Sequence, residues 1–324
     1  MRWGDRARQR LKLRDLHVFI TAAQLGSMGK AAAELAVSQP AVSKAIADLE
    51  EALGVSLLDR SRQGINPTIY GRAWLKWSIA VFDVLKQGTS EIDYLEDPTA
   101  GELRIGSTEP MTAGLIPAVI DRLSRQYPRL IFNVIQAQAI ALQYRDLRER
   151  NIDLILGRLV TPLSDEDLDS EILFEDPLFV VAGTGSKWLR RRTIEPVELI
   201  DELWCLPAEG GHVRARIAEA FRARGLGLPR QAVLTSSIQL CNALLATGRF
   251  LAVLSGSALH ISGKRLGMRI LPVAFPVPHG PVGIVTLKNR TISPAARLFI
   301  ECAREIAKPL SKTLAGPRGR GIEI

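Results

Sequence analysis

The segment GKAAAELAVSQPAVSKAIADLE, residues 29–50, places a proline inside an otherwise helical pattern. Ser38 is a favourable N-cap, so Pro40 falls in the opening turn of a helix, where a backbone N–H has no intrahelical partner. Val42 and Ile46 follow at helical spacing, which predicts that their face is buried. The opposite face is short and polar. The segment therefore predicts a rigidly started helix that can approach another surface closely.

The residues before this segment predict two shorter helices. The first ends at Gly26, and its buried face has apolar residues at i, i+3, i+4 and i+7: Leu16, Phe19, Ile20 and Ala23. Ser27 caps the second helix, and a turn at residues 36–38 leads into the third. Two helices joined by so short a turn are typical of a helix-turn-helix. The alternative for this segment is an alanine-rich packing module.

Residues 55–67 predict a β-hairpin wing. An apolar strand over residues 55–58 precedes a basic turn with Arg60, Arg62 and Gly64, and a short return follows. The two arginines are placed where they can bind phosphates. Residues 15–67 are thus predicted to form an all-α winged helix-turn-helix domain that binds double-stranded DNA.

Residues 68–95 predict one long helix of about 40 Å. Its apolar stripe comprises Trp74, Trp77, Val81, Val84 and Leu85. We expect no domain to surround this helix, so the economical partner of the stripe is the same helix of a second copy. Residues 96–101 are the predicted hinge after it.

Residues 102–310 alternate strand and helix patterns, which predicts an α/β domain with a mostly parallel sheet and helices on both faces. A segment of this length is expected to divide into two lobes, with a ligand between them at the carboxyl ends of the strands. The last segment, residues 311–324, is rich in glycine and arginine and is predicted to be disordered.

Polar side chains follow several of these predicted strands and are the candidate effector-binding residues. They are Ser107, Thr108, Glu109, Gln136, Gln138, Ser236 and Ser237. Hydroxyls and free N–H groups at a helix start favour an oxygen-rich ligand such as a carboxylate. Glu109 would oppose an anion, so a sugar fits equally well. For Ser237, an ordinary N-cap is as good an interpretation as a ligand contact.

The net charge of +8 does not locate a nucleic-acid interface by itself. Residues 1–14 hold six basic residues and one acidic residue, whereas residues 15–95 hold seven basic and nine acidic residues. The basic leader, residues 1–14, either adds nonspecific affinity or is a solvated arm. No apolar run is long enough to span a membrane and no signal peptide is present, so we expect a soluble cytoplasmic protein. Cys205, Cys241 and Cys302 lack metal-ligand spacing, which predicts three free buried thiols.

Sequence motifs of an enzyme are not found. The segment GTGSKW, residues 183–188, lacks the ending of a phosphate-binding loop, and no nucleophile elbow or dinucleotide fingerprint occurs. We therefore expect no catalytic residue, metal or cofactor. The competing interpretations are an enzyme, or a two-lobed small-molecule-binding protein without a DNA role.

The segments AAAELAVSQPAVSKAI and DLEEALGVSLLDR resemble the LysR-type bacterial transcriptional regulators, and the match is strong over residues 11–72. The order of domains is also similar to that family: a winged helix-turn-helix, a linker helix, and a two-lobed effector domain like a periplasmic binding protein. The sequence of residues 26–50 resembles that of a subgroup that includes galactose-binding-protein regulators and some aromatic-acid pathway regulators. The resemblance implies a dimer or tetramer that binds promoter DNA, responds to a small metabolite and contacts RNA polymerase.

The resemblance also assigns roles to individual residues. The base-reading candidates are Gln39, Pro40, Ala41, Ser43 and Lys44, with Arg62 in the wing, and the phosphate-binding candidates are Ser27, Lys30, Ser38 and Arg60. The family often has arginine where Lys44 stands, and lysine cannot make the same bidentate contact with guanine. The family has a segment close to GLGIALLP. This chain has GRFLAVLSGS at that place, where Arg249 and Phe250 displace the second glycine of the family's segment.

Overall fold

The computed structural model describes residues 11–61, 64–137, 140–159, 165–207, 212–263, 267–273 and 280–314. The predictions made for Arg62 and Gln138 therefore lie outside the described residues, as do those for residues 1–10 and 315–324. The chain divides into two compact units, residues 1–89 and 90–324. Within the described residues, no helix combines the length and the apolar character that crossing a membrane requires.

The first unit contains three helices, a hairpin and the start of a long helix. Its elements are α1 (Leu13–Leu25), α2 (Met28–Glu34), α3 (Gln39–Leu53), β1 (Leu58–Ser61), β2 (Gly64–Pro67) and α4 (Ile69–Glu96). Apolar side chains from all three short helices meet in one core, which includes Phe19, Ala31, Val42 and Ile46, each fully buried. Because α1 begins at Leu13, the last two residues of the predicted leader are helical and belong to the folded unit.

The helices contact the backbone of the chain where it enters the hairpin. The carboxylate of Glu50 accepts hydrogen bonds from the backbone N–H groups of Leu57 and Leu58, at 2.6 and 3.2 Å. At Gly71 in α4, an added Cβ would lie 2.0 Å from the carbonyl oxygen of Leu57. No side chain fits there, so the long helix contacts the backbone that enters the hairpin directly.

The first strand of the hairpin begins later in the chain than predicted. It starts at Leu58, because the segment before it is bonded to Glu50 and does not pair with a strand. Arg60 consequently lies within β1, opposite Ile65, and not in the turn.

Helix α4 runs for 28 residues, about 42 Å. Trp74, Leu75 and Phe82 pack against the core of the first unit. The prediction that no domain surrounds this helix is therefore wrong, and so is the placement of Trp74 on a free apolar stripe. The other four members of the stripe are exposed: Trp77, Val81, Val84 and Leu85.

The second unit contains two five-stranded sheets, one in each lobe. The first lobe has the strand order β4-β3-β5-β12-β6, with β3 (Ala100–Ser107), β4 (Arg129–Gln136), β5 (Leu154–Arg158), β6 (Leu168–Asp176) and β12 (Gly280–Leu287). The second lobe has the order β11-β7-β10-β8-β9, with β7 (Leu178–Gly183), β8 (Leu203–Leu206), β9 (Gln231–Leu234), β10 (Phe250–Ser255) and β11 (Met268–Ile270).

Helices cover both faces of these sheets, as predicted. They are α5 (Glu109–Thr112), α6 (Leu115–Gln126), α7 (Ile140–Arg148), α8 (His212–Arg222), α9 (Ile238–Ala246) and α10 (Pro294–Leu314). The core of the first lobe contains α6 and α10 side chains, and the second lobe packs α8 and α9 in separate clusters. The three cysteines are free and buried.

Three details correct the predictions for this unit. Both sheets are mixed, because β12 is antiparallel to β5 and β6, and β7 is antiparallel to β10. Strand β3 begins at Ala100, inside the predicted hinge. Helix α10 continues to Leu314, four residues into the segment expected to be disordered, because Leu310 and Leu314 are buried in the first lobe.

Candidate nucleic-acid interface and ligand cleft

The helix starts at α2 and α3 are capped as the sequence predicts. The Ser27 hydroxyl accepts a hydrogen bond from the Lys30 N–H, and the Ser38 hydroxyl accepts one from the Ala41 N–H, both at 3.3 Å. Pro40 lies in the first turn of α3. These contacts fix both helix starts, so the groups on the first turns have defined directions.

The first turns of α2 and α3 lie next to each other. An added Cβ at Gly29 would be 3.8 Å from Gln39 Oε1 and 3.9 Å from Ser27 Oγ. The structure therefore brings Ser27 and Gln39 together. Two adjacent helix N-termini present backbone N–H groups and positive dipole ends, which favour phosphate.

The outward face of α3 carries the predicted base-reading residues. Gln39, Pro40 and Lys44 are exposed, and Ala41 and Ser43 are half-buried, whereas Val42, Ile46 and Leu49 are buried on the opposite face. Lys30 and Arg60 are also exposed. The exposed acidic residues of this helix, Asp48 and Glu51, lie in its C-terminal half, so they leave its first turns free of negative charge.

The predicted effector residues follow neighbouring strands. Ser107 ends β3 in register with Gln136 at the end of the parallel strand β4. Ser107 is fully buried, and its hydroxyl donates to the Leu156 carbonyl of β5 at 2.8 Å. Its hydroxyl hydrogen is thus used within the sheet, and only its acceptor lone pairs remain for the predicted contact with an effector. Thr108 is half-buried and its side chain makes no cap hydrogen bond to α5.

Glu109 connects the two lobes. Its Oε1 accepts a hydrogen bond from the Ile238 N–H at 3.0 Å, and its Oε2 accepts one from the Gln136 side-chain amide. The carboxylate therefore lies at the N-terminus of α9, where negative charge is favourable. Ser237 is the N-cap of the same helix, with its hydroxyl accepting from the Leu240 N–H at 3.2 Å, and Ser236 is exposed.

A cleft of about 570 Å³ lies beside this contact. Residues of α5, α6 and α9, the start of β11, and the helical segment around residues 258–261 line it. Glu109 belongs to its wall, together with the apolar side chains of Ile238 and Met268. The cleft is therefore shared by the two lobes and combines one carboxylate with a largely apolar surface.

A second polar connection between the lobes was not predicted. The Asp176 carboxylate accepts hydrogen bonds from the Ser257 N–H at 2.9 Å and the Ser257 hydroxyl at 2.7 Å. Arg158 Nη2 lies 3.3 Å from Asp176 Oδ2. Burial raises the pKa of Asp176, and burial lowers the pKa of Arg158 while Asp176 opposes that change. These residues are 18 and 81 positions from Asp176 in the chain, so no local pattern could have identified them.

Comparisons with known proteins match the whole architecture. The bacterial regulatory helix-turn-helix model of the lysR family matches residues 13–72, and the LysR substrate binding domain matches residues 96–308. The HTH-type transcriptional regulator GbpR of Azospirillum brasilense is 30% identical over 91% of this chain and 86% of its own length.

Solved structures have the same fold. Full-length OxyR from Pseudomonas aeruginosa is similar with a TM-score of 0.63 and 25% identity, covering 91% of this chain and 95% of that one. Full-length CbnR in complex with its target DNA has a TM-score of 0.61 and 20% identity, covering 91% and 99%. The resemblance noted in the sequence is confirmed: the chain belongs to the LysR family of transcriptional regulators, with a DNA-binding helix-turn-helix and an effector-binding domain.

Proposed function

We propose that this protein controls transcription by placing the first turns of α3 in the major groove of promoter DNA. The observation that carries the proposal is the capped start of α3, which holds a polar, exposed face in a fixed direction. A major groove admits an α-helix, and the N-terminal residues of a recognition helix contact the base edges there.

Each residue on this surface has a role that its chemistry supports. Gln39 can bond adenine bidentately, Pro40 and Ala41 can contact a thymine methyl, and Ser43 can bond to either kind of base. Lys44 is a point charge that serves a phosphate or a guanine acceptor. The remaining phosphate contacts are proposed for Ser27, Lys30, Ser38 and Arg60, and for Arg62 on sequence grounds.

The functional unit that we propose is a homodimer joined through α4, with two dimers forming a tetramer. Trp77 is 63% exposed and Val84 is 61% exposed, although both are large and apolar. A contiguous exposed apolar face of this kind is typical of an interface, and a two-fold dimer would present two recognition helices to a pseudo-palindromic operator. A tetramer on a promoter would lie where it can contact RNA polymerase.

The effector-binding domain is proposed to bind a small metabolite between its lobes. Ligands of such sheets bind at the carboxyl ends of the strands. Ser107 and Gln136 are the last residues of β3 and β4, and Thr108, Glu109, Ser236 and Ser237 follow strand ends in both lobes. The known relatives are transcriptional regulators, and we propose that this chain has no catalytic activity and works in the cytoplasm on the nucleoid.

The test is selection of bound fragments from the fragmented genome of the source organism, followed by footprinting of the recovered promoter. Ser43→Ala combined with Lys44→Ala should weaken binding by at least about tenfold, because base and phosphate contacts are lost together. The matched control is Ser311→Ala combined with Lys308→Ala, which removes the same groups from the exposed surface of α10.

Sedimentation velocity should show the same oligomer for both double variants. Footprints that are equal for the two variants would contradict the assignment of α3 as the recognition helix.

A further inference from the structure

Arg158 lies where the chain passes between the two lobes of the second unit. The chain leaves the first lobe at Asp176, the last residue of β6, and it is again part of the first sheet from Gly280, the first residue of β12. These two residues are partners in the sheet, so the points of exit and return are adjacent. Arg158 ends β5, and β5 is the other neighbour of β12.

The guanidinium group of Arg158 bonds to both points. Its Nη1 donates to the backbone carbonyl of Asp176 at 2.9 Å and to that of Gly280 at 3.0 Å. Its Nη2 lies 3.3 Å from Asp176 Oδ2. An added Cβ at Gly280 would be 2.4 Å from Nη1, so the glycine leaves the space that the guanidinium group occupies. One side chain thus fixes the outgoing and the returning chain relative to each other.

Asp176 extends these contacts to a third segment, which follows β10 of the second lobe. Its carboxylate accepts hydrogen bonds from the Ser257 N–H at 2.9 Å and from the Ser257 hydroxyl at 2.7 Å. The Gly256 N–H donates to the carbonyl of Pro177, the residue after Asp176, at 2.8 Å. Asp176 and Ser257 are fully buried. Water reaches these hydrogen bonds only after a local opening of the structure.

The segment that contains Ser257 continues into a wall of the cleft. Ala258, Leu259 and Ile261 line this cleft. An added Cβ at Gly114, between α5 and α6, would lie 3.5 Å from the Cα of Ala258, so the segment is close to the backbone of the first lobe. The place of this wall therefore depends on the hydrogen bonds to Asp176, and Asp176 is held by Arg158.

We infer that Arg158 is the positioning residue of the joint between the lobes, which comprises Arg158, Asp176, Ser257 and Gly280. Through Asp176 and Ser257, it sets where residues 258–261 stand against the first lobe. A guanidinium group suits this role, because its donors lie in a fixed plane and can bond several acceptors at once. Lysine would supply a charge for Asp176 without holding both carbonyls in the same geometry. The cleft therefore keeps this wall whether or not it holds a ligand.

The test is amide hydrogen exchange of the full-length protein, for wild type, Arg158→Lys and Arg104→Lys. Arg104 binds the Asp153 carboxylate within the first lobe, so its replacement is the same chemical change away from the joint. In Arg158→Lys the amides of Gly256 and Ser257 should exchange about tenfold faster or more than in wild type. In Arg104→Lys they should exchange as in wild type.

The amide of Leu271 is the internal reference, because it donates to the Val180 carbonyl within the second lobe at 2.9 Å. Its exchange should be the same in all three proteins, which separates opening of the joint from a general loss of stability. No DNA or ligand is present, so the result does not depend on the regulatory role proposed for the protein.

A double variant tests whether Arg158 acts through Asp176 and Ser257. Ser257→Ala removes one of the two hydrogen bonds from Ser257 to the carboxylate and should by itself speed exchange at Gly256. Because the route is shared, Arg158→Lys combined with Ser257→Ala should speed exchange by less than the product of the two single effects. Effects that multiply, or equal exchange at Gly256 in Arg158→Lys and Arg104→Lys, would overturn the inference.

Discussion

At the start of α3, two neighbouring residues satisfy different needs of the same helix end. The Ser38 hydroxyl accepts the Ala41 N–H, while Pro40 has no N–H that would require a partner. The exposed side chain of Gln39 lies on this same turn. The single hydroxyl thus contributes both to the stability of the helix and to the direction of its reading groups.

Substitutions of Ser38 should separate these two contributions. Ser38→Ala should destabilise the helix start by about 1 kcal/mol and weaken promoter binding, because the cap is lost. Ser38→Asp keeps the cap and hence the stability, but its carboxylate should repel the DNA phosphates and weaken binding nevertheless. Hydrogen exchange of the α3 amides and fluorescence anisotropy with promoter DNA measure the two effects. Wild-type affinity in Ser38→Asp would show that this cap is far from any phosphate.

The caps were predictable because a cap is a local pattern of three or four residues. Ser27 and Ser38 were predicted to be N-caps, and an N-cap was one of two equal interpretations for Ser237; all three hydroxyls accept a hydrogen bond from the expected N–H. The hydrogen bond of Ser107 was not predicted, because its partner, Leu156, lies 49 residues away on β5. Nothing next to Ser107 in the chain indicates that its hydroxyl is already bonded.

At the scale of elements, α4 has apolar residues on more than one face, and the sequence does not say which face the helix's own domain covers. Trp74 turned out to pack inside the first unit, whereas Trp77, three residues further, is exposed. Strand β12 shows the same limit, because its antiparallel place between β5 and β6 depends on a return of the chain from the second lobe. Periodicity fixes an element's type, and its neighbours depend on distant segments.

The two tryptophans should therefore respond differently to substitution. Trp77→Lys should split the oligomer and leave the first unit folded, because the side chain lies on the proposed dimer face. Trp74→Ala should instead lower the free energy of unfolding of the first unit by about 2–4 kcal/mol, since packing in the core is lost. Sedimentation velocity and urea denaturation distinguish the outcomes. An unchanged sedimentation coefficient for Trp77→Lys would exclude this interface.

An ion cluster around Asp153 connects three segments of the first lobe: strand β3, the residues before β5, and the residues after β12. Its carboxylate accepts from the Arg104 N–H at 2.9 Å and from the side chains of Arg104 and Arg290, each at 2.8 Å. Burial alone would raise the pKa of Asp153, but the hydrogen bonds from Arg104 and the charge of Arg290 outweigh it, so the pKa is lowered. A lowered pKa in the folded state means that stability is present above the ordinary value and is lost as the pH falls.

Asp153→Asn should lower the free energy of unfolding by about 2–4 kcal/mol at pH 7, because two arginines lose their anion. The difference from wild type should shrink below about pH 4, where the unfolded carboxyl protonates. Asp121→Asn is the control, because its exposed pair with Arg125 should contribute less than about 0.5 kcal/mol. Urea midpoints at pH 7 and at pH 3.5 provide the measurement, and a difference that does not change with pH would contradict the assignment.

At the scale of the whole molecule, both apolar and polar contacts join the lobes of the effector-binding unit, and the polar ones are few and specific. The carboxylate of Glu109 in the first lobe accepts a hydrogen bond from the Ile238 N–H in the second lobe. The carboxylate of Asp176, at the end of β6, accepts one from the Ser257 hydroxyl. Polar contacts of this kind can exchange with a ligand's groups, whereas the apolar cores of the separate lobes cannot. The carboxylates of Glu109 and Asp176 are therefore the groups whose substitution tests the contact between the lobes.

Glu109→Ala should loosen the contact between the lobes. The Ile238 amide should exchange its hydrogen about tenfold faster or more, because its charged acceptor is gone while Ser237 still caps the helix. Glu102→Ala on the exposed part of β3 is the matched control. Equal exchange at Ile238 in both variants would show that the carboxylate does not hold the lobes.

The backbone contact between Gly71 and Leu57 has a mechanical consequence. With no side chain between them, a rotation of α4 about its own axis would displace the backbone that leads into the hairpin. In a dimer built on α4, the angle at which the two long helices cross would then set the separation of the two hairpins on the DNA. Operators whose half-sites are spaced differently would then fit the two hairpins to different degrees, and an alanine at position 71, which has no room for its Cβ, would move the hairpin relative to α4.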